Sequence, residues 1–259
     1  MLLVAGVALT LPGSGFAQAR TADEVMAAAR KALGGDARIA AVKTFVATGR
    51  TRQVRGENLV PIEFEIQAEM PDRYSRRDEF PAQDAGPQTA GFVGDQVVLM
   101  PRPMPPPPRP GAPPAPPQQM EMMLRARLMQ ARQDWARLML GMFAGTPSSF
   151  PLTYAYVAQA EAPQGKADVI DVKGPNNFAA RLFVQSETGL PIMLSWQAPG
   201  PVGPGPGGPP PGAGGPPQAA AGPPKPAPEQ RLFFADYKDV DGLKLPHRIR
   251  RATGSETTE

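Results

Sequence analysis

The sequence contains no cysteine and only one histidine, His247, in 259 residues. Without cysteine there is no disulfide framework, thiolate nucleophile or cysteine metal ligand. A single histidine also excludes most zinc sites and serine-histidine triads. We expect His247 to point inward as a structural residue, because it alternates with Leu243, Leu245 and Ile249. We therefore expect a protein that is not an enzyme and holds neither a cofactor nor a metal.

The sequence also has little excess charge of either sign. Its formal net charge is +3, and its basic residues are mixed with acids rather than gathered into a stripe with aromatics, which argues against nucleic-acid binding. Glu63 and Glu65 share one strand face, about 7 Å apart. Neighbouring arginines would keep both carboxyl groups ionised, so the pair lacks the proton donor that glycoside hydrolysis requires.

Long apolar runs are missing as well. The N-terminal run from Leu2 to Leu11 is too short to span a bilayer and is followed by Ala17-Gln18-Ala19. This pattern predicts a secretory signal peptide over residues 1–19, cut after Ala19. We therefore expect a soluble mature protein outside the cytoplasm.

Proline, in contrast, is abundant but unevenly placed. Of 35 prolines, 11 lie in residues 101–117 and 13 in residues 199–228. We interpret both stretches as disordered loops inserted at connections of a sheet, where extra length costs little loop-closure entropy. The rest of the mature chain, residues 20–259, is then a single domain.

Outside these insertions the pattern is mainly that of antiparallel strands. A capping box at Thr21 to Glu24 starts a short helix that ends at Gly34-Gly35. In residues 60–70, Ile62, Phe64 and Ile66 share one face and acidic residues occupy the other. Further strands are predicted at 42–49, 73–78, 152–160, 167–172, 178–185, 192–196, 232–240 and 243–251, and a hairpin around Gly94-Asp95 is predicted over 92–100. Short turns join most of them, which indicates an antiparallel meander.

A long amphipathic helix is predicted over residues 118–143, which contain no proline. Its apolar set includes Leu128, Met129, Trp135, Leu138, Met139 and Met142. Its polar positions are supplied by Arg125, Arg127, Arg132 and Arg137. Methionine is flexible, so this helix is either an ordinary core helix or one wall of an adaptable apolar cleft.

Several segments resemble the outer-membrane lipoprotein-sorting (LolA/LolB-like) superfamily. The most specific runs from Asp236 to His247, and shorter pieces are Ile39 to Thr44, Met70 to Tyr74 and Thr188 to Pro191. The resemblance implies a periplasmic, unclosed antiparallel β-barrel with a helical lid. It also implies an apolar cavity that receives the acyl chains of lipoproteins.

The leading hypothesis is a periplasmic carrier of lipid or lipoprotein acyl chains that acts as a monomer together with an inner- or outer-membrane delivery protein. The predicted lipid-binding residues lie on the sheet and the long helix: Ile62, Phe64, Ile66, Leu128, Met129, Trp135, Leu138, Met139 and Met142. Two alternatives remain. One is a sensor, because the same fold is similar to that of the periplasmic sigma-factor regulator RseB, and the other is an envelope module that displays its proline tracts.

Overall fold

A computed structural model describes most of the chain outside its N-terminus and the proline tracts. The described residues are 20–55, 58–81, 86–103, 117–162, 165–197, 228–253 and 256–258. The predicted signal peptide lies outside them, and so do residues 104–116 and 199–227 of the two predicted disordered loops.

Two short helices begin the described chain. Helix α1 (Ala22–Ala32) starts at the predicted capping box, in which the Thr21 hydroxyl accepts from the Glu24 amide and the Glu24 carboxylate accepts from the Thr21 amide. Gly34 and Gly35 follow with positive φ angles of 129° and 94°. Helix α2 (Asp36–Ala41) comes next and has no predicted counterpart, since six residues are too short to show helical periodicity.

The first sheet is a five-stranded antiparallel meander in the order β1-β2-β3-β4-β5. Its strands are β1 (Thr44–Arg55), β2 (Asn58–Glu69), β3 (Arg73–Glu79), β4 (Gln88–Val93) and β5 (Gln96–Met100). The pairing of β2 with β3 places Glu65 opposite Arg77 and Glu69 opposite Arg73. The acidic strand and the arginine-rich strand predicted at 73–78 therefore pair as a hairpin.

The second sheet has seven strands in the order β12-β11-β10-β9-β8-β7-β6. Helix α3 (Pro117–Phe143) precedes it in the chain, and the strands are β6 (Thr153–Ala162), β7 (Gly165–Gly174), β8 (Phe178–Gln185), β9 (Pro191–Gln197), β10 (Glu229–Val240), β11 (Leu243–Thr253) and β12 (Glu256–Thr258). Gln197 pairs with Glu229 across β9 and β10. The second proline tract thus connects two paired neighbours, where a hairpin turn would suffice.

Helix α3 lies between the two sheets and forms the centre of the hydrophobic core. It contacts β4 and β5 of the first sheet and β8, β9 and β11 of the second. Among the described strands, β1 at the edge of the first sheet does not pair with β12 at the edge of the second, so the two sheets do not close into a barrel. The predicted fold class, mainly antiparallel β with an unclosed barrel and a covering helix, is confirmed.

Two local expectations were wrong. His247 is exposed rather than inward. It lies opposite Asp236, whose φ of 53° interrupts the alternation, so that Phe234 and Tyr237 both face the interior although they are three residues apart. Arg137 was expected on a polar helix face but is buried, because the C-terminal half of α3 is enclosed by both sheets.

Candidate functional site

Most of the residues predicted to bind lipid lie in the interior of the fold, and they differ in accessibility. Ile66, Trp135, Leu138, Met139 and Met142 belong to one buried cluster. Phe64 and Leu128 are half-buried and pack against that cluster. Ile62 is buried outside it, and Met129 is 42% exposed. A ligand could reach the buried members only if α3 moved away from a sheet.

The C-terminal half of α3 is held tightly against both sheets. Trp135 contacts Phe92 of the first sheet edge-on, with ring centroids 5.7 Å apart, and Phe150 on its other side at 6.3 Å. Gly141 brings the helix backbone against the ring of Phe234 in β10, and an added Cβ there would lie 2.1 Å from that ring. The Tyr237 hydroxyl donates to the Gly141 and Pro191 carbonyl oxygens.

Two adjacent apolar pockets open where α3 ends. One, of about 470 Å³, lies between α2, the β2–β3 turn and the end of α3, with Ile39, Met70 and Met139 in its walls. The other, of about 500 Å³, is lined by Phe45 near the start of β1 and by Leu243 and Leu245 at the start of β11. Both pockets are lined by Val42, Lys43 and Phe143, and we call them together the Phe143 groove.

The Phe143 groove lies where the barrel fails to close. One pocket is bounded by the start of β1, an edge strand of the first sheet, and by the start of β11, which pairs with the edge strand β12 only at residues 251–253. The floor is apolar, since Phe143 is buried and packs against Phe45 in a tilted arrangement with ring centroids 5.9 Å apart. An apolar floor with an opening at a sheet seam is the arrangement of many small-molecule sites.

The rim of the Phe143 groove carries more positive than negative side chains. Arg30, Arg38 and Lys43 line it, together with Asp36 and Asp241. Arg30 pairs with Asp36 at 2.5 Å. Arg38 and Lys43 instead donate to the backbone oxygens of Gly34 and Ala40, at 3.2 Å and 3.1 Å, and ammonium and guanidinium groups have further N–H donors to offer.

Most residues of this groove were missed by sequence reasoning, although Met139 was predicted. The spacing of Met139 and Phe143 places them one turn apart on the same helix face, and this was the one signal that could have extended the site. Ile39 and Val42 could not be found in this way. They enter the groove through α2 and the link after it, which have no amphipathic repeat.

Burial keeps two tyrosines near the core in their neutral form. Burial raises the pKa of Tyr74 to about 12 and raises that of Tyr237 further, so both phenols stay protonated at neutral pH. The described residues contain no group of three or more His, Asp or Glu side chains able to hold a metal ion. None of the described helices is both long and apolar enough to cross a bilayer.

Two incompletely closed antiparallel sheets around a central helix define a LolA-like fold. A LolA superfamily protein from Nitrosomonas europaea shares this fold with a TM-score of 0.51 and 10% identity, over 93% of this chain and 90% of that one. An outer membrane lipoprotein-sorting protein domain from Vibrio parahaemolyticus has a TM-score of 0.44 and 8% identity, covering 90% and 86%. A DUF1329 family protein from Desulfovibrio piger has a TM-score of 0.42 and 6% identity, covering 92% and 89%.

At such low identity the first of these likenesses shows the fold alone. No family model matches the sequence, and no curated protein matches it significantly.

Proposed function

We propose that this protein is a periplasmic carrier that binds the acyl chains of lipids or lipoproteins, without catalysis. The observation that carries the proposal is the Phe143 groove, an apolar depression with a cationic rim at the open seam between the sheets. The LolA-like fold supports it, because the neighbour that shares this fold with a TM-score of 0.51 is described as a LolA superfamily protein.

Burial of methylenes would provide most of the binding free energy. Each acyl CH₂ removed from water contributes about 0.8 kcal/mol. Each of the two pockets of the Phe143 groove has a volume within the usual range for ligand sites. Arg38 and Lys43 at the rim would meet the phosphate or carboxylate that ends most acyl lipids. An apolar floor with a positive rim matches an amphiphile with an anionic head.

Of the nine residues predicted from the sequence, the buried ones enter this proposal as the inner part of the site. Met139 belongs both to the groove and to the buried residues, since it lines one pocket of the groove and is part of the buried cluster. A chain longer than the groove would have to separate α3 from the sheets to reach Trp135, Leu138 and Met142. Release would follow when the helix closes again on Ile66 and its neighbours.

A fluorescent fatty acid tests the groove directly. Ile39→Glu places a carboxylate in the apolar wall at a half-buried position, where the fold tolerates the change better than in the core. Val157→Glu makes the same kind of change at a residue that is 45% exposed on β6, away from the groove. We expect Ile39→Glu to weaken binding at least about tenfold, and Val157→Glu to bind as the wild type does. Equal affinities in both variants would contradict the proposal.

The delivery partner is tested separately. A carrier should release its lipid to membranes or to another carrier without a stable complex, whereas a sensor should retain a membrane-bound regulatory protein. Affinity purification from envelope extract, with the groove loaded and unloaded, distinguishes the two functions. A stoichiometric regulatory protein that leaves when lipid is removed would favour the sensor.

A further inference from the structure

Arg137 is a charged residue in a place where its neighbours on α3 are apolar. Its side chain is 5% exposed, while Trp135, Ala136, Leu138 and Met139 around it are all buried. Removing a guanidinium from water is costly unless the charge is paired and its N–H groups are bonded. An aliphatic side chain would fill the same space at lower cost, so the charge at this position calls for an explanation.

The guanidinium of Arg137 is held rigidly but is not fully satisfied. Its terminal nitrogens donate to Asp134 at 2.9 Å and Gln133 at 3.1 Å. Its centre lies 4.4 Å from the ring centroid of Trp196 and 5.5 Å from that of Phe178. Nε has no hydrogen-bond partner among the described residues. Of the buried side-chain nitrogens and oxygens of those residues, only the Trp135 indole nitrogen also lacks one. A fixed cation with a free donor is a preorganised anion ligand.

The pocket that Arg137 lines is separate from the Phe143 groove. It has a volume of about 630 Å³, and Gln133, Arg137 and Trp196 line it together with polar residues of β7, β8 and their turn. Lys173 adds a second positive charge. The two carboxylates in the lining already have basic partners, Asp171 with Arg181 at 2.8 Å and Glu229 with Arg231 at 2.5 Å.

We propose that this pocket binds an oxyanion, a carboxylate or phosphate group, through Arg137 and Lys173, with the apolar part of the ligand against Trp196. An anion beside the guanidinium would offset its desolvation. Burial lowers the pKa of Arg137 and Asp134 opposes that shift, which agrees with a charge that is only partly compensated. The proposal does not depend on the carrier function, because it concerns different residues and a different pocket.

The two tryptophans of the chain provide the measurement. In protein labelled with ¹⁵N at tryptophan, NMR should show two indole N–H resonances, and a Trp196→Phe variant assigns them. We expect inorganic phosphate, acetate or dihexanoyl phosphatidylglycerol to shift the Trp196 resonance saturably at millimolar concentration. Dihexanoyl phosphatidylcholine serves as the zwitterionic comparison. Tighter binding of the anionic lipid than of phosphate would identify a lipid headgroup as the source of the anion, and the reverse order would identify a free anion.

Arg137→Met removes the charge while keeping a flexible apolar side chain, and the carboxylate that it leaves unpaired, Asp134, has a side chain that is 36% exposed and so stays in contact with water. We expect affinity to fall about tenfold or more. Arg127→Met, at an exposed position of the same helix, should bind as the wild type does. Lys173→Met, on the exposed surface of β7, tests the site without touching the core and should also weaken binding. The proposal is overturned if no anion gives a saturable shift, or if neither Arg137→Met nor Lys173→Met weakens binding.

Discussion

Gly141→Ala should destabilise the protein, although alanine is the better helix former. In an exposed helix this change would add about 1 kcal/mol of stability. At Gly141 the new Cβ would lie 2.1 Å from the Phe234 ring, whereas carbon atoms in contact are normally about 3.5–4.0 Å apart. The ring cannot simply swing aside, since Phe234 is 2% exposed.

The expected size follows from three contributions. Overpacking of this kind costs about 1–3 kcal/mol or more, and displacing the helix also weakens the Tyr237 hydrogen bond to Gly141, worth about 1 kcal/mol. These losses exceed the gain in helix propensity. We expect a net loss of about 1–3 kcal/mol in the free energy of unfolding, measured by urea denaturation.

Two variants make the test specific. Ala126→Gly, at an exposed position of α3, measures the propensity effect without the steric one and should cost about 1 kcal/mol or less. Combining Gly141→Ala with Phe234→Leu makes room for the methyl group, so the double variant should be more stable than the sum of the two single effects. If Gly141→Ala is as stable as the wild type, the tight contact between α3 and the second sheet is refuted.

Three further predictions concern other parts of the fold. Arg20→Met should lower the free energy of unfolding by about 1–3 kcal/mol, because it leaves the carboxylate of Asp168, 1% exposed and paired at 2.6 Å, without its cation; an unchanged urea midpoint would contradict this. Burial raises the pKa of Tyr74 from 10 to about 12, so its contribution to stability is complete below pH 10 and should be lost between pH 10 and 12, by at most about 3 kcal/mol. Urea titrations of Tyr74→Phe should show a smaller loss of stability between pH 10 and 12 than the wild type shows, and an equal loss would contradict this prediction. Replacing residues 198–228 by Asn-Gly should keep the fold and lipid binding, since the ends of β9 and β10 are already paired; loss of either, by circular dichroism or lipid analysis, would show that the tract is required.

Strands with one wet face could be predicted closely from the sequence. The alternation of Ile62, Phe64 and Ile66 with acidic residues identified β2, and the Gly94-Asp95 turn identified the β4–β5 hairpin. Helix α3 was equally clear, because a proline-free segment lies between a proline tract and Pro147. In each case the local pattern and the tertiary environment agree.

The candidate site was harder to predict because it depends on how the elements meet. The Phe143 groove is formed by α2, by a turn and by the ends of three strands. These segments are far apart in the sequence and meet where the two sheets do not close. Arg137 was interpreted as a solvent-facing residue because helical periodicity assumes one wet face. In the structure a second sheet covers that face, so the same pattern places a charge in the interior.

Native mass spectrometry of the protein, purified after export and followed by lipid extraction, tests the central claim most directly. The account predicts bound species with masses of acyl lipids, reduced by Ile39→Glu and retained in Val157→Glu. A folded protein, checked by circular dichroism, that carries no lipid and takes up none from added vesicles would contradict the carrier function.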